Sequence, residues 1–295
     1  MNINEMPPKQ ESQEIISKIQ LHFFRHGEQF KDPAKSDPEY ELSAAGREQG
    51  MNKAKSIEER PNLRQTMAFG SPRARSQQTA SFAMAGQALD SVVGDESLKE
   101  LKAKLDGDIS YGSKVMSDPR LDFTMDKDTP FGAKAFEAFS KKEYMKFLVN
   151  SSDALAKEVK DSKGSTYSRQ AGDVAQVVKK YLSVSSRWKE LVQSGKYQDP
   201  KLERFLGSHG GVTESFLFKV IEKTKGIEER DRLLALIPNI FDFTEGFDVE
   251  LVTTDRNSEP AVRIIYKKEL PGGKKFKFNE VVPIEVIEEI VKEGK

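Results

Sequence analysis

Two of the three histidines in this chain lie beside arginine or glycine where an apolar run ends. R-H-G at 25–27 follows one such run, S-P-R-A-R at 71–75 follows a second, and S-H-G-G at 208–211 follows a third. In a parallel α/β sheet, ligands bind outside the carboxyl ends of the strands, where helix N-termini present free amides and a partial positive charge. The three segments are therefore predicted to meet at one anion-sized space.

A phosphoryl group suits such a space. It carries about two negative charges near neutral pH and three acceptor oxygens, which match arginine forks and imidazole donors. The chain contains no cysteine, so an imidazole is the natural nucleophile. Neighbouring arginines disfavour a further positive charge, which keeps the ring neutral and leaves a lone pair for attack on phosphorus. Gly27 is expected to let a phosphate approach the backbone, because it has no side chain.

The elements that must position these residues alternate between strand and helix. Strands are predicted at 19–24, 66–70 and 202–207, and helices at 43–54 with Ser43 as N-cap, 75–88, 141–160, 173–193, 213–223 and 283–292. A hairpin is predicted from 247–253 and 261–266. Strand followed by helix, twice over near the start, indicates a parallel α/β topology.

The length of 295 residues allows one large domain or two small ones. Neither an internal repeat nor a linker rich in Pro, Gly or Ser divides the sequence, so a single domain is predicted at 19–295, after a flexible polar tail at 1–18. Glycines and prolines punctuate the region from about 101 to 168, which indicates an insertion laid over the sheet.

Composition excludes several classes of function. Lys plus Arg and Asp plus Glu each number 47, so no global charge points to nucleic acid or an anionic membrane. The absence of cysteine excludes thiol nucleophiles, disulfides and thiolate metal sites. The N-terminus lacks the apolar core of a signal peptide and no run is long enough to span a bilayer, so a soluble, cytoplasmic protein is expected.

Four motifs carry a resemblance to a known family. R-H-G-E at 25–28, L-S-A-A-G-R-E-Q at 42–49, S-P-R-A-R-S-Q-Q-T-A at 71–80 and S-H-G-G at 208–211 together resemble the histidine phosphatase superfamily. The motifs follow the order of the family at compatible separations, and they cover the core but not the tail or the insertion. The resemblance implies the phosphoglycerate mutase-like fold, a three-layer α/β/α sandwich with a mostly parallel sheet, here with a largely helical insertion.

The resemblance also assigns roles by matching position. His26 would be the nucleophile that forms a phosphohistidine, without a metal or another cofactor. Arg73 would be a rim residue or a substrate contact, because the family pattern places its arginine at Arg75. The phosphate-binding residues that it implies are Arg25, Gly27, Arg75, His209 and Gly210.

A proton donor to the leaving oxygen is needed as well, because expulsion of an alkoxide at neutral pH is slow. One branch of the family has an Asp directly after the second histidine, but Gly210 stands there, so this chain resembles the other branch. That branch takes a Glu in a Leu-x-Glu context after its third strand, and L-K-E at 98–100 matches it. Glu100 is therefore the predicted donor, with Asp106, Asp108 and Glu214 as substitutes.

Hydrolysis is favoured over mutase chemistry. True mutases of the family would have Trp-Asn shortly after the first motif, whereas Gln29, Phe30 and Lys31 follow it here. A phosphoglycerate mutase-type phosphotransferase remains an alternative, as does a pseudo-phosphatase that binds phosphorylated ligands or proteins. The predicted partner is a small phosphorylated substrate, and both a monomer and a dimer stay open.

Two other patterns have plainer interpretations. D-K-D-T at 126–129 resembles the nucleophile loop of magnesium-dependent haloacid dehalogenase-like phosphatases, but no convincing strand precedes it, which favours a chance match in an acidic loop. His22 shares a strand face with Phe24 by alternation, and a structural role is predicted for it.

Overall fold

The computed structural model describes residues 15–57, 60–86, 88–107, 113–255 and 259–295. Most of the predicted tail, 1–14, lies outside the described residues, and so does Asp108, a substitute proton donor. The first strand begins at Ser17, so Ser17 and Lys18 belong to the sheet rather than to the tail.

One mixed sheet is built from the strands in the described part of the chain. They are β1 (Ser17–Arg25), β2 (Thr66–Gly70), β3 (Val115–Ser117), β4 (Lys201–Ser208), β5 (Gly246–Thr253), β6 (Ala261–Glu269) and β7 (Lys275–Val282). Their order is β3-β2-β4-β1-β5-β6-β7. The first four of these pair in parallel, whereas β5, β6 and β7 pair antiparallel beside β1. The predicted hairpin is therefore present, and it widens the predicted parallel core.

The helices of the described residues cover both faces of this sheet. They are α1 (Ala44–Lys55), α2 (Ala74–Ala85), α3 (Leu98–Gly107), α4 (Pro130–Ser140), α5 (Tyr144–Phe147), α6 (Asp153–Glu158), α7 (Tyr167–Gln193), α8 (Val212–Lys225), α9 (Ile227–Leu236) and α10 (Ile284–Glu293). A π-helical segment, Leu148–Ser152, joins α5 to α6, and 3-10 turns lie at Asp37–Glu39, Pro119–Leu121 and Pro271–Gly273.

The alternation of side chains along β1 separates the two layers of helices. Leu21 and Phe23 are fully buried in the cluster formed with α7, α8 and α10. Phe24 points to the opposite face and is buried in the cluster that includes Leu42, α2 and α3. Because β1 is covered on both faces, its sequence reads as a continuous apolar run. The predicted three-layer α/β/α architecture is confirmed.

The region predicted as an insertion divides into two parts. Leu101 and Leu105 of α3 are fully buried in the cluster that also contains α2 and sheet residues, and β3 is an edge strand of the sheet, so the first part belongs to the core layers. The helix predicted at 141–160 corresponds to the continuous helical run 144–158, which contains the π-helical segment Leu148–Ser152 between α5 and α6, and the positive φ at Lys142 separates this run from α4. Helices α4 to α6 form the second part of the predicted insertion.

Candidate active site

The parallel pairing of β1 and β4 brings the two singled-out histidines together. Arg25 is in register with Ser208 at the carboxyl ends of these strands, and the His26 amide donates to the Ser208 carbonyl oxygen over 2.9 Å. The next residue of each chain segment is a histidine. The ring centroids of His26 and His209 lie 5.0 Å apart, edge to face. The predicted meeting of R-H-G at 25–27 and S-H-G-G at 208–211 is thus present.

His26 is held in one tautomer by its neighbours. Its Nδ1 lies 2.6 Å from the Gly27 carbonyl oxygen, which can only accept, so Nδ1 carries the proton. Its Nε2 lies 3.3 Å from Arg75 Nε, which can only donate, so Nε2 presents a lone pair. Burial, and then Arg75, Arg25 and Arg73, lower the pKa of His26 to about 3. Near neutral pH the ring is therefore uncharged, with its lone pair at Nε2.

Arg75 enters the site from the first turn of α2. Arg73 is the N-cap of that helix, and α2 approaches β4 closely, where Ser76 Oγ donates to the Gly207 carbonyl oxygen over 2.7 Å. This contact fixes the N-terminal end of α2 beside the carboxyl end of β4. The Arg75 guanidinium is thereby placed against His26, as the family pattern implied, and its side chain is buried.

Arg25 is anchored on the other side of the site. Its Nη1 donates to the Phe241 carbonyl oxygen over 2.5 Å, and its guanidinium lies over the Phe243 ring, 4.2 Å from the centroid. Its Nε is buried and has no partner among the described residues. Burial lowers the pKa of Arg25, although Glu214, Asp242 and Glu245 act in the opposite direction. The guanidinium remains a cation with a free, buried donor.

His209 is the most enclosed member of the site. Its Nε2 lies 2.7 Å from Ser71 Oγ and 3.5 Å from Asp122 Oδ1. Its Nδ1 is buried without a partner in the described part of the chain. Burial, followed by the electrostatic coupling to His26 and by the charges of the surrounding arginines, lowers the pKa of His209 well below its usual value. The site therefore contains two neutral histidines surrounded by guanidinium groups.

The glycines and Glu28 of the motifs serve the packing around the site. A Cβ on Gly27 would come within 2.6 Å of the Gly46 carbonyl oxygen, so glycine is required by the close approach of α1. A Cβ on Gly210 would meet Ile240 at 2.7 Å. Glu28 accepts from Ser43 Oγ over 2.8 Å, and Ser43 caps α1 as predicted. The R-H-G-E motif at 25–28 and the L-S-A-A-G-R-E-Q motif at 42–49 therefore pack against each other.

Glu100, the predicted proton donor, is an exposed helix-capping residue. Its carboxylate accepts from the Ser97 amide over 2.8 Å and from Ser97 Oγ over 2.7 Å, at the start of α3. These hydrogen bonds lower its pKa. In the described part of the chain, Glu100 forms no hydrogen bond or ion pair with either histidine of the site. Its Leu-x-Glu context is explained by the helix cap.

The substitute donors have other partners as well. Asp106 accepts from the Lys114 amide over 2.9 Å. Glu214 is fully buried, and accepts from the amides of Gly211 and Phe241 over 2.9 and 2.6 Å. Glu214 therefore fixes the segments that carry His209 and the Arg25 anchor, and burial raises its pKa.

Three residues of the site were missed at the sequence level: Asp37, Asp122 and Phe123. Asp122 Oδ1 accepts from Arg73 Nε over 2.7 Å, and the Phe123 ring lies 5.0 Å from the His209 ring, centroid to centroid. Asp37 accepts from both Arg73 and Arg75. Asp122 lies in the segment that follows the carboxyl end of β3, so its place at the site can be predicted only when the position of β3 is known.

The acidic loop at 126–129 is a turn that starts α4. Asp126 Oδ1 accepts from the Asp128 amide over 3.0 Å, and Thr129 Oγ1 accepts from the Gly132 amide as the N-cap. In the described ranges, no group of three or more His, Cys, Asp or Glu side chains could hold a metal ion. The haloacid dehalogenase-like interpretation thus has no support from geometry.

No protein-family model and no curated protein matches the sequence. The chain is similar in structure to a mycobacterial glucosyl-3-phosphoglycerate phosphatase, at 15% identity and a TM-score of 0.43 over 83% of this chain and 97% of that one. It is also similar to a phosphoglycerate mutase from Bacillus anthracis, at 11% identity and a TM-score of 0.47 over 93% and 97%. At these levels of similarity, the residues of this chain decide what its site can do.

No helix in the described ranges is both long enough and apolar enough to cross a membrane.

Proposed function

We propose that the protein is a metal-independent phosphomonoesterase of the histidine phosphatase type, acting on a small phosphorylated substrate through a phosphohistidine at His26. One observation carries the proposal. His26 is a buried neutral histidine whose Nδ1 is fixed by the Gly27 carbonyl oxygen and whose Nε2 lone pair faces the Arg75 guanidinium. An anion bound to that guanidinium lies next to the nucleophile.

The surrounding donors suit the transferred group. A phosphoryl group offers three oxygens that carry the developing charge, and catalysis of its transfer depends on positioned cationic donors. Arg25 Nε and His209 Nδ1 are buried polar atoms without partners in the described part of the chain. Buried polar groups are rarely left unpaired, so Arg25 Nε is suited to donate to a bound oxyanion, and so is His209 Nδ1 in the tautomer that carries the proton there while Nε2 accepts from Ser71 Oγ. Arg75 supplies the further charge.

Two steps complete the reaction. The His26 Nε2 lone pair attacks phosphorus, an N–P bond forms, the P–O bond to the alcohol breaks, and the leaving oxygen takes a proton from an acid. Water then attacks phosphorus, gives a proton to the conjugate base of that acid, and the N–P bond breaks. The products are the alcohol and inorganic phosphate, and both the histidine and the acid are regenerated.

Asp122 is the proton donor that the geometry supports best. Its carboxylate lies 3.5 Å from His209 and hydrogen-bonds Arg73, whereas Glu100 is committed to the cap of α3.

The nucleophile is tested by hydrolysis of p-nitrophenyl phosphate in the presence of EDTA. We expect His26→Ala to lower kcat by roughly a thousandfold or more, because covalent catalysis is removed. The wild type, quenched during turnover, should carry an acid-labile phosphoryl group that the variant lacks. Equal kcat in the two proteins, with both folded by circular dichroism, would refute the proposal.

The proton donor is tested by comparing leaving groups. Asp122→Asn should lower kcat/KM about a hundredfold for an alkyl phosphate such as glycerol phosphate, because the alkoxide must be protonated as it leaves. The loss should be much smaller for p-nitrophenyl phosphate, whose phenolate is stable without a proton. Glu100→Gln is the matched control and should resemble the wild type on both substrates. The reverse pattern would assign the proton to Glu100.

A further inference from the structure

The Arg75 guanidinium, which the proposed function assigns to the phosphoryl group, already holds a carboxylate of the chain itself. Asp37 Oδ2 accepts from Arg75 Nη2 over 3.3 Å and also from Arg73 Nη1. The Asp37 carbonyl oxygen accepts from Arg75 Nη1 over 2.8 Å. The carboxylate and carbonyl oxygens of Asp37 thus accept from both terminal nitrogens of the Arg75 guanidinium, which lies against His26.

The position of the carboxylate relative to His26 is specific. The Nε and Nη2 atoms form one edge of a guanidinium, the edge that binds an oxyanion in a side-on fork. In Arg75, Nε of this edge contacts His26 Nε2, and Nη2 contacts Asp37 Oδ2. The carboxylate therefore lies on the edge where an oxygen of a phosphoryl group next to His26 would bind.

The reacting groups are enclosed in this arrangement. His26 is 8% exposed, Arg75 3% and His209 2%. A phosphorylated substrate needs its phosphorus within reach of His26 Nε2 and one of its oxygens on the Arg75 edge that Asp37 occupies. The Asp37 carboxylate therefore has to move before a phosphoryl group can bind there.

The segment 31–39, called the cover below, is attached in a way that allows this movement. Its base is closed by the bridge between Gln29 and Leu42 and by the Arg75 amide, which donates to the Tyr40 carbonyl oxygen. Between these points almost all of its residues are exposed. Among the described residues, every hydrogen bond from the cover to the rest of the protein beyond its base is made by Asp37.

We propose that Asp37 is an internal occupant of the phosphoryl site, and that the cover opens when a phosphate dianion displaces its carboxylate. The inference rests on the proposed function, which assigns Arg75 to the phosphoryl group. A dianion interacts more strongly with the same guanidinium groups than a carboxylate does, because its charge is about twice as large. Asp37 thereby selects for dianionic monoesters over singly charged ligands.

The competition is measured by isothermal titration of the full chain with inorganic phosphate. Asp37→Asn removes the competing charge, and we expect it to bind phosphate about tenfold more tightly than the wild type. Asp32→Asn is the matched control, because Asp32 lies in the same cover and its carboxylate accepts from the Ala34 amide rather than from an arginine. The control should bind phosphate as the wild type does.

Opening of the cover is measured by limited proteolysis. Lys35 is exposed within the cover, and we expect phosphate to speed tryptic cleavage after Lys35 in the wild type. In Asp37→Ala, cleavage should already be fast without phosphate, because the hydrogen bonds of the carboxylate are gone. Thermal melting of both Asp37 variants shows whether they are folded.

The outcomes separate the inference from the proposed function. If the wild type binds phosphate and folded Asp37 variants bind it equally or more weakly, Asp37 is not a competitor and the inference is wrong, while the phosphatase proposal stands. If phosphate binds to the wild type but does not change the rate of cleavage after Lys35, the cover does not open on binding and that part of the inference is wrong. If no variant binds phosphate and the wild type is also inactive, the proposed function fails together with the inference.

Discussion

His22 and His26 lie four residues apart on one strand and its extension, both buried, yet their surroundings are opposite in charge. His22 Nδ1 lies 2.7 Å from Asp248 Oδ1, and its Nε2 lies 2.9 Å from Glu203 Oε1. Since ionised carboxylates only accept hydrogen bonds, both ring nitrogens donate and the ring is a cation. His26 is instead placed among guanidinium groups and is neutral.

The comparison separates the effect of burial from the effect of neighbours. Burial acts to lower the pKa of both histidines, and it is the largest single effect for each. For His22, the charges and hydrogen bonds of Asp248 and Glu203 together outweigh burial, so its pKa is raised. For His26, Arg75 adds to burial. The acidic neighbours make His22 a structural cation, and the basic neighbours make His26 available as a nucleophile.

Among substitutions that change the surroundings of His22 or His26, the largest effect is expected on the free energy of unfolding. Glu203→Gln removes one of the two carboxylates that pair with the buried His22 cation, and we expect the free energy of unfolding to fall by about 2 kcal/mol, because a hydrogen bond between charged groups is lost while Asp248 still pairs with the ring. The activity of the folded variant should stay near that of the wild type. Urea denaturation near pH 6, with phosphatase activity on the same samples, measures both.

A neighbouring ion pair provides the control for Glu203→Gln. Glu250 pairs with Lys18 over 2.6 Å on the same sheet, but both side chains are partly exposed. Glu250→Gln should therefore cost at most about 1 kcal/mol. If Glu203→Gln abolished activity without loss of stability, His22 would belong to the reaction and the contrast would be false.

The sequence was sufficient to predict the strands that carry the two site histidines. The run before R-H-G-E is apolar on both faces because β1 is central in the sheet, and parallel pairing makes its end adjacent to the end of β4. The position of Thr66–Gly70 was predicted to the residue. The two histidine motifs meet because β1 and β4 are parallel neighbours. Short apolar runs that alternate with helical patterns indicate such a parallel α/β topology in the sequence.

The acidic residues could not be located in the same way. The third strand, β3, has three residues and only Val115 is buried, so it shows no detectable pattern in the sequence. Without that strand, Leu-x-Glu at 98–100 was the only visible match, and it proved to be a helix cap. Asp37 lies in an exposed 3-10 turn, and its contact with Arg73 and Arg75 depends on a fold of the loop that no periodicity encodes.

A smaller effect, of opposite sign for the two histidines, is expected in the pH dependence of stability. The folded pKa of His26 is about 3, so between about pH 6.5 and pH 3 only the unfolded chain binds this proton, and stability falls as the pH falls. The folded pKa of His22 is raised, so its contribution is complete below about pH 6.5 and is lost as the pH rises through the folded value.

His26→Gln and His22→Gln therefore shift the pH dependence in opposite directions. Between about pH 7.5 and about pH 5.5, His26→Gln should lose roughly 1.4 kcal/mol less stability than the wild type, since one site no longer takes up a proton on unfolding. His22→Gln should lose more than the wild type over the same interval, because the stabilisation that acid gives through His22 is gone. Urea denaturation of the three proteins at both pH values measures the slopes. Shifts of the same sign would mean that the two histidines have the same charge in the folded state, and the assignment of His26 as the neutral nucleophile would fall with that result.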